Sequence, residues 1–244
     1  MNKAYEYMSE IQRLIEQVRE CEKDNIEAAA TACAQSLSDG GLIFAFGTGH
    51  SHMLAEELFY RAGGLVRVYP ILDTPLMLHT GAARSSEVER LHGYAQTILD
   101  DIDCMKTGDT MFIFSNSGRN AVTVDMALQA REKGVRTVCI TNLNHSRAVK
   151  SRHNSGLRLF EACDIVIDNH GCIGDAAIDI NGDMVSPTSS VIGIMILEMT
   201  VARIAELMQE KGLKAEVFIS ANTDEGDKTN AGYIKKYKGI IKNL

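Results

Sequence analysis

The apolar positions along the chain change period repeatedly, and each change marks the edge of an element. Between residues 3 and 38, Ile11, Leu14, Ile15 and Val18 recur at spacings of three and four among Glu, Gln and Ala, which predicts helix with a break near Asp24-Asn25. Gly40-Gly41 ends that pattern. The unbroken run Leu42-Ile43-Phe44-Ala45-Phe46 then predicts a strand, closed by the polar, glycine-containing stretch Gly47-Thr48-Gly49-His50-Ser51. Helical spacing returns over 52–62 and stops at Gly63-Gly64, and 65–69 reads as a second strand. Residues 70–91 have no period and predict an irregular connection of the kind that often carries binding residues. Order resumes with a helix over 91–102, a strand over 110–114, a helix over 121–133, a strand over 135–141 and, after an irregular 142–161, a strand over 163–168.

Strands that are apolar at nearly every position are covered on both faces, and their alternation with helices makes the sheet parallel. The expected fold class is therefore α/β: a three-layer αβα sandwich on a five-stranded parallel sheet, with 1–38 as an N-terminal helical extension and 40–210 as the core of one domain spanning 1–244. A last helix, 188–211, is apolar throughout 191–197, so its first half is expected to be buried all round or to lie at a subunit interface. The tail, 211–244, is rich in Asp, Glu, Gly and Lys beyond Ala221 and is expected to wrap the surface with few core residues.

Charge and length narrow the partners. The 244 residues carry 25 Lys and Arg against 32 Asp and Glu, a net charge of −7 that argues against nucleic acid. The longest apolar run falls far short of the roughly 18 residues of a membrane span, and the N-terminal MNKAYEYMSEIQRL lacks the apolar core of a secretory signal, so a cytoplasmic location and no membrane partner are expected. Six cysteines without a CxxC pair fit neither a disulfide framework nor a zinc knuckle; Cys139, in TVCIT, reads as a reduced core residue.

Open parallel sheets bind ligands beyond the carboxyl ends of their strands, where helix N-termini present unpaired N–H groups. Two loops fit that place. In Gly47-Thr48-Gly49-His50-Ser51, two glycines let the backbone approach a ligand and two hydroxyls can bond it. It is no dinucleotide fingerprint, since the third glycine position holds His52, and no Walker loop, since Gly-Lys-Ser/Thr is lacking; no cofactor is expected. The second loop, Ser115-Asn116-Ser117-Gly118-Arg119-Asn120, gathers hydroxyl, amide and guanidinium donors at a predicted helix start, which suits an anion; purely local helix capping is the competing reading.

These residues resemble the SIS, or sugar isomerase, phosphosugar-binding family. The likeness lies in IFAFGTGHS and FIFSNSGRNAVTVDMALQAREKG and extends over about residues 40 to 210. It implies a flavodoxin-like sheet, a phosphorylated sugar as ligand, and a homodimer or homotetramer with sites shared between chains. Carried over by position, phosphate binding falls on Ser115, Ser117 and Asn120 with the backbones of Asn116 and Gly118, and sugar contact falls on Ser51 beside Thr48. The chain departs from the phosphoheptose isomerases in two places. Their Glu ten residues beyond the first-loop Ser corresponds to Arg61, and the C-terminal helix has no His, only Glu198, Glu206 and Glu210. The first departure also counts against a likeness to N-acetylmuramic acid 6-phosphate etherase.

Isomerisation and etherase chemistry both need a base for a proton beside a carbonyl. Glu57 and Glu56 are the carboxylates nearest the first loop, with an i,i+4 salt bridge from Glu57 to Arg61 as the competing role. His50 and His52 flank Ser51 as candidate acids; a metal held by them and His79 is considered, but none is expected. Ser186 and Thr188, in a loop preceded by Asp175, Asp179 and Asp183, are the expected third wall of the pocket. The functional expectation is phosphosugar binding with isomerase or lyase chemistry, and the alternative is a non-catalytic phosphosugar sensor.

Overall fold

Every residue of β1 (Ile43–Gly47), β2 (Val68–Ile71) and β3 (Thr110–Phe114) is buried, as continuous apolar strands require. The computed structural model, which describes residues 2–244, joins them with β4 (Arg136–Thr141) and β5 (Ile165–Asp168) into one five-stranded parallel sheet of order β2-β1-β3-β4-β5. Ile43, Ala45, Phe112, Phe114 and Ile140 pack on one face with α1 (Lys3–Cys21), α2 (Lys23–Ser38), α3 (His52–Leu58) and α9 (Ser189–Glu210). Phe44, Phe46, Met111, Ile113 and Cys139 alternate with them and fill the opposite face. There they meet α5 (Tyr94–Asp100), α6 (Ala121–Glu132) and α8 (Leu159–Ala162). This is the expected three-layer sandwich. Among the described residues no helix is long and apolar enough to cross a membrane.

Several boundaries differ from the sequence reading, each for a local reason. The break between α1 and α2 falls at Glu22 rather than Asp24-Asn25. Glu22 is buried, accepts the Asp168 N–H at 3.2 Å and pairs with His170 at 2.9 Å, so the helix yields there to bind the end of β5. The helix α3 stops at Leu58 instead of 62, because the chain turns through Tyr60 at φ +50°. The second strand starts at Val68, not 65: Val66 and Gly64 are engaged with the C-terminal segment, Val66 donating to the Glu216 carbonyl at 2.9 Å and Phe218 to that of Gly64 at 3.0 Å.

The segments read as irregular contain order of their own. Residues 70–91 hold α4 (Ala82–Val88), and 142–161 hold α7 (Leu143–Ala148) and the start of α8. The acidic stretch before α9 folds as an antiparallel hairpin, β6 (Ala176–Ile180) and β7 (Asp183–Pro187). Its turn is Asn181-Gly182, both at positive φ, the pairing that two-residue hairpins favour. The tail lies mostly at the surface and sends few apolar side chains inward: Tyr237, at the end of α10 (Asp224–Tyr237), and Ile241 join the second core, as does Phe218 ahead of it.

Candidate functional site

From β1 the sheet extends to β2 on one side and to β3 on the other, so strand order reverses between β1 and β3 and a cleft opens beyond their carboxyl ends. Phe114, Leu54 and Ile140 supply its apolar lining. His50 and Ser51 come from the first loop, Ser115 and Asn116 from the second, Asn169 from the end of β5, and Ser189 and Ser190 from the N-terminus of α9.

The first loop is largely satisfied within the chain. A side chain at Gly47 would place Cβ 2.5 Å from the Ser51 carbonyl oxygen, so the tight return of the loop requires glycine. The Thr48 hydroxyl donates to Glu89 Oε2 at 2.8 Å, and Ser51 N–H donates to the Thr48 carbonyl at 3.0 Å. His52 is buried and outside the cleft lining; its Nδ1 bonds the Gly49 carbonyl, and its ring meets that of His79 edge-on at 5.9 Å. His50 stays exposed in the cleft.

The second loop is held open from behind. Ser115 Oγ accepts the Gly118 N–H at 3.1 Å, Asn116 Oδ1 accepts from the Asn169 amide at 2.9 Å, and the Gly118 carbonyl accepts the Leu159 N–H at 2.8 Å. Gly118 sits at φ +58° with Ser146 Oγ 3.0 Å from where a Cβ would lie, which excludes any other residue without strain. Among the described residues nothing bonds the Ser117 hydroxyl or the N–H groups of Ser117 and Asn120, so these donors are free at the start of α6. Asn120, expected to take phosphate through its side chain, instead accepts from Arg152 at 2.9 Å. Burial, together with Arg119 and Arg90 nearby, holds the Arg152 guanidinium below its ordinary value, a sign of cationic surroundings.

The third wall is one step further along the chain than the sequence placed it. Thr188 is buried, with its N–H and hydroxyl turned to Asp175 at 3.2 and 3.4 Å, and Ser186 sits in β7 at φ +64°; neither lines the cleft. Ser189 and Ser190 take that place. Ser189 is oriented by its hydroxyl bond to Asp175 Oδ2 at 2.6 Å, while the Ser190 hydroxyl is without a partner among the described residues. Thus the loop that leads into α6 and the N-terminus of α9 meet at the β1–β3 edge. A Ser-Ser pair ahead of a long apolar run was the available sequence signal for the second.

Neither Glu56 nor Glu57 lines the cleft. Glu57 pairs with Arg61, which also lies 3.8 Å from Glu198, and Glu56 is exposed with His52 Nε2 at 3.7 Å. Glu89, just beyond α4 and likewise outside the cleft lining, is the acidic residue that links the two loops; sequence reasoning passed over it inside an irregular stretch. Its side chain accepts from Thr48 in the first loop, and its carbonyl accepts the Val122 N–H at 3.2 Å just after the second.

Residues 6–142 match the SIS domain model. The chain belongs to the SIS domain family. A UPF0309 protein of Geobacillus thermodenitrificans is 46% identical over 238 residues, which cover 97% of this chain and 95% of that one. Two solved structures share this SIS fold at low identity. A phosphoheptose isomerase from Francisella tularensis has a TM-score of 0.53 at 16% identity, covering 84% of this chain and 97% of that one. The sugar isomerase domain of an RpiR transcription factor from Sphaerobacter thermophilus has a TM-score of 0.51 at 16% identity, covering 98% and 99%.

Proposed function

We propose that this SIS protein binds a phosphorylated sugar and moves a proton on the carbon beside its carbonyl, as an isomerase or lyase of sugar phosphates. The observation that carries the reading is the meeting in one cleft of Ser115 and Asn116, at the start of the second loop, with Ser190, whose hydroxyl is unpaired, at the start of α9; the free donors of Ser117 follow next along that loop, and Arg152 is fixed to it through Asn120. Neutral hydroxyls, free N–H groups and two helix N-termini suit a phosphate dianion. The similarity to a phosphoheptose isomerase agrees with this ligand class.

In the proposed reaction the phosphate rests on the Ser115–Asn120 loop, and Ser51 and Asn169 bond the sugar hydroxyls. Glu89 takes the base role for which Glu57 and Glu56 are the sequence candidates, because its carboxylate is tied to Thr48 whereas that of Glu57 is committed to Arg61. It removes the C2 proton of an open-chain aldose phosphate as the electron pair moves towards the C1 oxygen, which His50 protonates to give the enediol; Glu89 then returns its proton to C1 while His50 takes back the proton of the C2 hydroxyl, whose oxygen becomes the ketone carbonyl. His52, bonded to the Gly49 carbonyl, holds the loop that presents His50 and Ser51.

One chain encloses only about 30 Å³ in this cleft, far less than the roughly 300 Å³ at which ligand pockets begin. A second copy therefore completes the site in this reading, docking on Tyr5 and Met8 of α1 and Val191 and Met199 of α9, large apolar side chains left exposed. A regulatory, non-catalytic role is the second reading; the departure at Arg61 and the similarity to the RpiR sugar isomerase domain favour it.

A panel of hexose, heptose and amino-sugar phosphates, followed by thermal shift and by deuterium uptake from solvent, tests both. Phosphate-dependent stabilisation with deuterium at C1 or C2 is the expected result. Stabilisation without exchange leaves the sensor reading, and silence across the panel with Ser117→Ala unchanged removes the site. Light scattering that finds a monomer at micromolar concentration removes the shared site.

A further inference from the structure

Behind the second loop, on the side away from the cleft lining, three segments meet in a cluster that the proposed reaction does not use. His153, in the connection between α7 and α8, places Nε2 2.7 Å from Oδ1 of Asp125, in the second turn of α6. His92, just ahead of α5, brings its ring centroid to 5.7 Å from that of His153. One ligand atom from each residue lies within 4.8 Å of the other two, and among the described residues no other three His, Cys, Asp or Glu side chains do so. His50, His52 and His79, weighed together from the sequence, form no such group.

We infer that His92, Asp125 and His153 form a binding site for one divalent transition-metal ion of the zinc type. Two imidazoles and a carboxylate are the donors that such ions select over the all-oxygen sets of magnesium and calcium. Ligands about 2.0–2.1 Å from a tetrahedral centre stand roughly 3.3 Å apart, so the Asp125–His153 pair opens by about half an ångström and the exposed His92 swings in. The partners needed to orient the ligands are already present. His153 Nδ1 accepts the Ser155 N–H at 3.1 Å, so binding of metal at Nε2 moves the ring proton to Nδ1 and exchanges that bond for one to Ser155 Oγ, 2.7 Å away, while Asp125 Oδ2 is fixed by the Gly93 N–H at 3.0 Å.

The two inner ligands are shielded, with side chains 9% and 15% exposed, while His92 opens to solvent and leaves the fourth position accessible. The ion links the segment that carries Glu89, the helix that starts at the anion loop, and the connection that carries Arg152. It thereby clamps the framework of the cleft without reaching the reacting atoms.

The test is a titration of the full chain, stripped with chelator, using Co²⁺ as a visible probe. The expected result is one equivalent per chain, with d–d absorption, no thiolate charge-transfer band and a raised Tm. His92→Ala and Asp125→Asn weaken binding at least tenfold, and His79→Ala binds as the parent does. Because His92 is exposed, its variant tests the site even if the Asp125 variant does not fold. Absence of stoichiometric binding, a thiolate band from the free cysteines, or undiminished affinity in His92→Ala overturns the assignment.

Discussion

The loops after β1 and β3 occupy equivalent places at the switch point and are built from similar residues, yet they dispose of their polar groups differently. In the first, Thr48 is bonded to Glu89, Ser51 N–H to Thr48, and His52 to Gly49. In the second, the bonds are made at Ser115, Asn116 and Gly118, and among the described residues the donors of Ser117 are free. A loop whose donors are consumed internally can position a reactive group. A loop whose donors are left over can bind an anion. On the proposed reading the first loop serves the chemistry and the second the affinity, a division that composition alone does not give.

The strongest challenge to this division is Glu89→Gln, which should lower solvent deuterium exchange by 10²–10⁴-fold with little change in phosphosugar affinity. Thr48→Val should follow it in direction, because the Thr48 bond orients that carboxylate; exchange kinetics at saturating ligand measure both. Next in size, Ser117→Ala should weaken binding by about 10–100-fold, the value of a hydrogen bond to a charged group, and leave the exchange rate at saturation nearly unchanged. Calorimetry reads it, and a variant that loses rate but not affinity would reverse the roles of the loops.

Smaller effects probe the scaffold of the second loop. Gly118→Ala forces a side chain into left-handed backbone against Ser146 and should cost about 1–2 kcal/mol of stability by urea unfolding; Gly49→Ala, with open space around its Cβ, should cost no more. Smallest is a pH effect at Glu161. Bidentate bonding from Arg158 holds its carboxyl down at about 2, below the ordinary range, so its contribution is complete above about pH 4.3 and is lost as pH falls through 2. Glu161→Gln should remove that acid sensitivity, worth at most about 1 kcal/mol for so exposed a pair.

The sheet and both loops were legible because continuous apolar strands and their polar ends are local signals: Leu42 to Phe46 and Thr110 to Phe114 need no distant information. The third wall and the spanning carboxylate were less so. Ser189 and Ser190 join the cleft only because Asp175, at φ +72°, turns the hairpin back to cap α9. Glu89 reaches Thr48 from a stretch with no period, 41 residues away in sequence. Arg61 was the reverse case, where spacing alone gave its partner: four residues from Glu57 on one helix, it forms the i,i+4 pair. The two apolar anchors of the surface tail, Tyr237 and Ile241, were not legible because they sit among lysines that keep their charges outward.

That tail has a consequence for how the chain comes to be folded. Tyr237 and Ile241 seal the core formed by Leu42, Phe44, Ile98 and Leu99, and Lys242 reaches the Asp101 carbonyl. These are contacts across well over a hundred residues, and such closures slow folding because loop entropy is lost before they reward it. During synthesis, the part of this core that Tyr237 and Ile241 fill therefore stays open until residue 241 has left the ribosome, so the last turn of the chain completes a packing that its first strand begins.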